Sequence, residues 1–465
     1  MLLGGVTLLV VAALFLNPPT IVVYLISGLL PITVAAFLLL AIGRARGLNR
    51  RDVLFAFPAS VFLIAVAAVF VYYSPGRLSA RLASARQDML PNKLLSIGQP
   101  LPTVSEMQSE NVVQMQNSLE VAEQLGIARS PELYVETGLL NFSVKNYKAA
   151  EAQFRKAIQL DKSGESKPTI AVAYNNLGVT LRRLDRLDES LEAFSSALNI
   201  SAERETTLTA ELNKARAYRI KGRYDEATSI ADNVLASPEL PGYWRGSALR
   251  LKGVIEEDKG EYEEALRYYG LAAKFYEAGG HLQELAITHN NIGNVFINWN
   301  RGAADVDAAI RNHEMALKLN QQVGSDDGQG DSYAGLAYDY MKKGDLDKAL
   351  GYAERALELH RKAKAPLNEA AILDTIGDIY HRKGDTASAI FFFNDSLAVA
   401  REVGNRYGQA VTLRNLATVY VESKDCERAR PLLLESQAIF EQIPHKKEAE
   451  EVRKLYRSCA TAERP

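Results

Sequence analysis

Few side chains in this sequence are grouped as catalysis or metal binding requires. His289 and His313 are the first candidates, because two imidazoles can share a metal ion. With neither a Cys nor a carboxylate partner at ligand spacing they read as packing residues, and no metal is expected. The run Ser325-Asp326-Asp327-Gly328 places acids before a glycine, but its spacing is not that of a calcium loop, and it reads as a turn. Trp299 is either packed on a neighbour or an exposed anchor for a partner. There is no Gly-x-Ser-x-Gly elbow, no phosphate loop ending in Gly-Lys-Ser/Thr and no His-Glu-x-x-His. The acids Glu256, Glu257 and Asp258, and Glu448, Glu450 and Glu451, fall on solvated helix faces. An enzyme, a cofactor and a small-molecule substrate are therefore not expected.

The elements that carry these residues divide sharply. The chain has 465 residues, too many for one compact core. Of its 54 basic and 56 acidic residues, only Arg44, Arg46, Arg50, Arg51 and Asp52 lie in the first 73 positions. The remainder holds 50 basic and 55 acidic residues, interleaved. No concentrated basic face is present, so nucleic acid is not an expected partner. Two cysteines exclude a disulfide-dense scaffold and a cysteine-rich zinc module.

Three apolar stretches, 2–16, 20–42 and 53–73, open the chain with no Asp, Glu, Lys, Arg or His inside any of them. The second and third are long enough to cross a hydrocarbon layer of about 30 Å. The first ends at Asn17-Pro18-Pro19 and is read as a short span packed on the second, with a re-entrant or interfacial helix as the alternative. Pro31 and Pro58 lie within spans, where neighbouring helices tolerate a kink. Without charges inside the spans an ion pathway is not expected, and residues 1–73 read as an anchor. The arginines between spans two and three mark a cytoplasmic loop, while Arg77, Arg81, Arg86 and Lys93 follow span three at lower density. The expected protein is integral to a plasma membrane of bacterial inner-membrane type, with its large domain outside the cytoplasm.

Residues 74–103, broken by Pro75, Pro91, Pro100 and Pro102, read as a linker. Val112, Met115, Leu119 and Val121 have helical spacing, so 104–130 is expected to form a helix that seals the front end of the large domain. From 131 to 443 one pattern recurs: a small residue, an aromatic, a turn and an alanine. It reads Tyr134, Gly138, Phe142, Ala150 and Phe154, then Tyr174, Gly178, Ser190, Phe194 and Ala197. Further copies centre on Tyr218, Gly222 and Ala227; Gly253, Gly260 and Ala265; Gly293 and Phe296; Ala337, Tyr340, Gly344 and Ala349; Gly377, Tyr380, Gly384, Ala389 and Phe393; and Ala417, Tyr420 and Ala429. Small residues on the first helix of each hairpin (helix A) let the second (helix B) approach closely, and aromatics such as Tyr340, Tyr380 and Phe393 fill the gap to the next hairpin. Gly222, Gly260, Gly344 and Gly384 stand where the turn needs a left-handed residue.

These residues resemble the tetratricopeptide repeat family over about two thirds of the chain. The resemblance implies an all-α, right-handed superhelical solenoid of about eight hairpins, preceded here by two to three transmembrane helices. From Gly253 the small residues Gly253, Gly293, Ala337, Gly377 and Ala417 are 40 or 44 apart, as in the longer repeat variant of partner-binding adaptors and bacterial regulators. The 44-residue interval arises around Trp299, Asn300, Arg301 and Gly302. Residues 444–465 contain a polar-faced helix that caps the last repeat.

The resemblance also implies which residues line the inner groove: Asn175, Asn176, Arg182, Arg183, Asn213, Arg216, Arg219, Arg250, Asn290, Asn291, Asn294, Asn298, Tyr338, Lys342, Arg382, Arg414 and Asn415. An asparagine ladder suits an extended peptide, since each carboxamide donates to a C=O and accepts from an N–H. The alternative is that Asn176, Asn213, Asn291 and Asn415 are simply common at their repeat position. Arg182, Arg183, Arg216, Arg219 and Arg250 form a basic strip that either grips carboxylates or is offset by Glu257 and Asp258. The expected function is a membrane-tethered scaffold or adaptor for a protein or extended peptide. The alternative is a peptide-sensing receptor or an accessory subunit of a membrane complex. Cys426, at the turn of the eighth hairpin, and Cys459, at the end of the capping helix, project to one edge and are candidates for a disulfide or for two unpaired thiols.

Overall fold

A computed structural model describes residues 130–461 apart from 162, 163, 165, 300 and 443–445. The three expected spans, the linker and the helix of 104–130 lie outside the described residues. Among the described residues no helix is long and apolar enough to cross a membrane. These residues form seventeen α-helices and no strand, and the chain divides into two units between Ala217 and Tyr218.

The first unit holds α1 (Pro131–Ser143), α2 (Tyr147–Leu160), α3 (Lys167–Arg183), α4 (Leu187–Ile200) and most of α5 (Arg204–Ile220). The second holds α6 (Tyr224–Leu235), α7 (Gly242–Lys259), α8 (Tyr262–Ala278), α9 (Leu282–Trp299), α10 (Ala303–Val323) and α11 (Asp326–Lys343). It continues through α12 (Leu346–Lys362), α13 (Pro366–Arg382), α14 (Thr386–Glu402), α15 (Arg406–Glu422), α16 (Cys426–Gln442) and α17 (Lys446–Thr461). Odd-numbered helices are the A helices and even-numbered ones the B helices. Consecutive helices pack on one another from α1 to α4 and from α6 to α17, as in an α-solenoid.

The hairpins close by matching volumes. A Cβ on Gly138 would stand 2.6 Å from the ring of Phe154, and one on Gly178 would stand 2.6 Å from Phe194. The aromatic follows its glycine by sixteen residues and occupies the space the missing side chain leaves, which is how a close-packed interior is met. Tyr269 covers Gly253 and Phe393 covers Gly377 in the same way. Phe393 thus fills its own hairpin, while it also clusters with Leu416 and Val419 of α15. Where helix A carries alanine, helix B offers Ala231, Ala353 or Leu433 instead, each fully buried.

The A-to-B turns need one left-handed residue. Gly222, Gly260, Gly344 and Gly384 adopt φ of 72°, 82°, 88° and 80°, whereas Lys145, Asp185 and Lys424 take the equivalent place at 60–62°. A non-glycine residue there costs about 1 kcal/mol, tolerated because the flanking helices over-determine the turn. Helix starts are fixed by side chains: Asn146, Ser325, Asp345, Asp385 and Asn405 each accept a hydrogen bond from an N–H three residues on. Ser325-Asp326-Asp327-Gly328 is therefore the cap and first turn of α11, with Ser325 Oγ accepting from the Gly328 N–H at 3.1 Å.

Candidate partner-binding face

The face of each A helix turned away from its B partner carries the polar residues of the expected groove. In the first unit that face is closed. Asn213 Nδ2 donates to Asn175 Oδ1 at 2.9 Å, Asn175 Nδ2 donates to Asn176 Oδ1 at 3.1 Å, and Arg216 Nη1 donates to Asn213 Oδ1 at 3.3 Å. All four are buried, the three asparagines completely. The carboxamides tie α3 to α5, so a peptide could reach them only by displacing those bonds. Arg182 is half-buried and Arg183 exposed.

In the second unit the same register is partly open. Asn290, Asn291, Arg414 and Asn415 are half-buried, and Asn294, Asn298, Lys342 and Arg382 are exposed. Tyr338 is exposed, with Lys342 Nζ 5.1 Å from its ring centroid. Bridges run from one A helix to the next: Ser332 Oγ donates to Asn290 Oδ1 at 3.1 Å, and Asn415 Nδ2 donates to Asp374 Oδ2 at 2.9 Å. Arg414 Nη1 reaches Glu451 of α17 at 3.3 Å. Within the expected basic strip, Arg219 pairs with Asp258 at 3.1 Å and Arg250 is buried. Asp258 therefore offsets part of that charge. Glu257 accepts from the Tyr269 hydroxyl at 2.8 Å, yet burial pushes its carboxyl above the usual range.

Models of the tetratricopeptide repeat match residues 131–163, 169–237, 212–280, 329–402 and 368–442, more than half of the chain. The chain belongs to the tetratricopeptide repeat family. As one of that family it is similar to an Arabidopsis thaliana protein named kinesin light chain-related 3, at 25% identity over 193 residues. That match covers 39% of this chain and 29% of the relative. Among solved structures, a Rap protein complexed with competence and sporulation factor aligns over 83% of this chain and 98% of its own, at 13% identity and a TM-score of 0.49. The human IFIT1 dimer with PPP-AAAA aligns over 77% and 81%, at 16% identity and a TM-score of 0.47. These likenesses concern fold alone.

Several polar residues of this tetratricopeptide array escape the sequence reading. Asp374 and Asp378 occupy the same repeat positions on α13 as Asn290 and Asn294 on α9, so the register itself contained the signal. Burial pushes the Asp374 carboxyl up to about 6, against the opposing hydrogen bonds of Thr412 and Asn415. Asp378 instead accepts from Arg382 at 3.1 Å. The second missed group surrounds His313. It takes the aromatic's place, but twenty residues after Gly293, because one extra helical turn is inserted near Trp299. Its Nδ1 lies 2.6 Å from Asp339 Oδ2 and its Nε2 lies 3.3 Å from Asn294 Oδ1. Both His313 and Asp339 are buried, and burial raises the Asp339 carboxyl despite the histidine. Only tertiary packing brings Asp339 of α11 to this histidine.

His289 stands apart, with Nδ1 2.9 Å from Asn312 Oδ1. Among the described residues no group of three or more His, Cys, Asp or Glu is placed to hold a metal ion. Trp299 is half-buried, stacked under Arg301 at 3.5 Å and 6.0 Å from Tyr262. Cys426 and Cys459 form a disulfide with a Cα–Cα distance of 5.4 Å, within the usual span of such bonds. It joins the start of α16 to the last turns of α17, and both cysteines are buried in the terminal apolar cluster with Leu433, Phe440 and Val452.

Proposed function

We propose that this protein is a membrane-tethered scaffold or adaptor that holds a protein or extended peptide on the A-helix face of its second unit. The observation that carries this reading is the part-exposed row of Asn290, Asn291, Asn294, Tyr338, Arg414 and Asn415 on helices whose other faces pack into apolar clusters. Such a row offers donors and acceptors held at fixed spacing, so little ordering entropy is lost when an extended chain binds. Tyr338 adds a stiff aromatic of the type that anchors interfaces. The apolar stretches of residues 1–73 support the tether, and the disulfide supports repeats placed outside the cytoplasm, because such bonds persist in oxidising compartments.

A photo-crosslinking amino acid at Tyr338, irradiated in intact membranes and followed by mass spectrometry, tests the face. A discrete protein or peptide adduct is expected, with none from the same probe at Leu434, which is 52% exposed on the B helix α16. Equal labelling at both positions, or none at Tyr338, would reject the reading. For the tether, protease added to intact spheroplasts should digest the repeats, and full protection would reverse the orientation.

A further inference from the structure

Asp374, like Asp339, has a buried carboxylate oxygen without a hydrogen bond of good geometry, and it lies on the part-exposed A-helix face. Its Oδ2 accepts from Asn415 Nδ2 at 2.9 Å across the α13–α15 junction. Its Oδ1 is closed to solvent and makes no hydrogen bond of good geometry, although the Thr412 hydroxyl also bears on this carboxyl. The residue as a whole keeps a part-exposed edge on the A-helix face, while Oδ1 itself is covered, so a ligand meets it only by displacing that cover. The nearby charges are committed elsewhere. Arg414 Nη1 donates to Glu451 at 3.3 Å and its Nη2 to Asn415 Oδ1 at 3.4 Å, while Asp378, one turn on, is paired with Arg382 at 3.1 Å. A dry, unbonded carboxylate oxygen is costly to leave unmade, and native proteins seldom keep one without a use.

We propose that Asp374, oriented by Asn415, is the seat for an ammonium group of the bound partner. The seat suits a single positive donor. With Oδ2 already bonded to Asn415, an ammonium aimed at Oδ1 needs one acceptor, whereas a guanidinium fork needs two parallel ones. Asn415 holds the carboxylate plane through its amide, which makes it a positioning residue. The ammonium comes either from a lysine side chain or from a peptide amino terminus. This inference rests on the reading that the A-helix face of the second unit holds a peptide or protein.

The test uses the full chain in lipid nanodiscs and a combinatorial library of extended heptapeptides. Each peptide is made with lysine, arginine, norleucine or glutamate at its centre, and with a free or an acetylated amino terminus. Affinities are read by fluorescence anisotropy. The expected result is at least tenfold tighter binding of ammonium-bearing peptides than of their acetylated norleucine counterparts. Asp374→Asn, which keeps the acceptor for Asn415, should reduce that preference to within twofold and leave the neutral peptides unchanged. Asp378→Asn should leave the preference intact. If norleucine peptides lose nothing when acetylated, the amino terminus is excluded as the source and lysine is selected; the converse selects the terminus. A preference that survives Asp374→Asn overturns the seat, and so does its loss in Asp378→Asn, which would point to a diffuse acidic field. Peptides that bind the face without any charge preference would sink the seat alone. Failure of every peptide to bind, together with no adduct at Tyr338, would sink the face as well.

Discussion

The first unit and the C-terminal part of the second are built on one repeat and differ in what their A helices do with their free face. In α1 eleven of thirteen residues are buried, whereas in α13 only six of seventeen are, so α1 is enclosed all round and α13 is amphipathic. The residues at equivalent positions explain the contrast: Val135 and Leu139 on α1, but Asp374 and Asp378 on α13. Asn175 and Asn213 of the first unit are buried in a bond to each other, whereas Asn290, Asn291 and Asn294 of the second keep exposed surface. The same repeat thus carries an enclosed A-helix face in α1 and a part-exposed, polar one in α13. Repeat packing depends on the A–B seam, so the opposite face is free to take either character.

The largest expected effects probe the cores. Replacing His313 by Phe should restore the pattern of Phe154 and Phe194, yet it strands the buried Asp339 carboxyl. Urea unfolding should show a loss of about 4 kcal/mol, as expected for removing one partner of a buried pair. Adding Asp339→Leu should recover most of it. The reverse change, Phe194→His in the first unit, has no acid waiting and should also destabilise; if it is neutral, the two hairpins are less distinct than their partners imply. Next in size, Cys459→Ser should cost about 3 kcal/mol by releasing the loop closed across 33 positions. Nearest-neighbour packing confines that loss to α16 and α17, so hydrogen exchange should rise there and remain unchanged in α1–α4.

A smaller effect concerns Asp374. Its folded-state carboxyl is raised to about 6 by burial, above its unfolded value. The stability it contributes is therefore full below the unfolded value near 4 and is lost as pH rises through 6. Asp374→Asn should be more stable than the parent by about 2 kcal/mol at pH 7, discounted for the residue's part-exposed edge, and equal to it near pH 4. A pH-independent difference would mean the carboxyl is not enclosed. The smallest effects separate the asparagines. Asn176→Ala removes a buried acceptor from Asn175 and should lower stability by about 1 kcal/mol. Asn291→Ala should leave folding nearly unchanged and weaken the captured partner roughly fivefold. The opposite assignment would dissolve the contrast between the units.

Much of the architecture was legible along the chain. Gly178 with Phe194, Gly377 with Phe393 and the turn glycines Gly260 and Gly384 report local geometry and packing between consecutive helices, which a linear pattern can carry. The site was legible only in part. Repeat register marked Asn175 and Asn291 alike, because both occupy helix-A positions of one motif, and it passed over Asp374 at the position that Asn290 holds on α9.

Residue order alone was enough for the helical hairpins, their turns and the repeat family, since those follow from propensity, small residues and periodic spacing. Folding decided which asparagines are spent on neighbours, which acid meets His313 and which carboxylate oxygen is left unbonded. Those outcomes depend on residues far apart in the chain meeting across helices, as Asn175 meets Asn213 and Asp374 meets Asn415. A polar side chain looks the same in sequence whether its partner lies within the chain or outside it, because burial and hydrogen-bond satisfaction are properties of the packed structure.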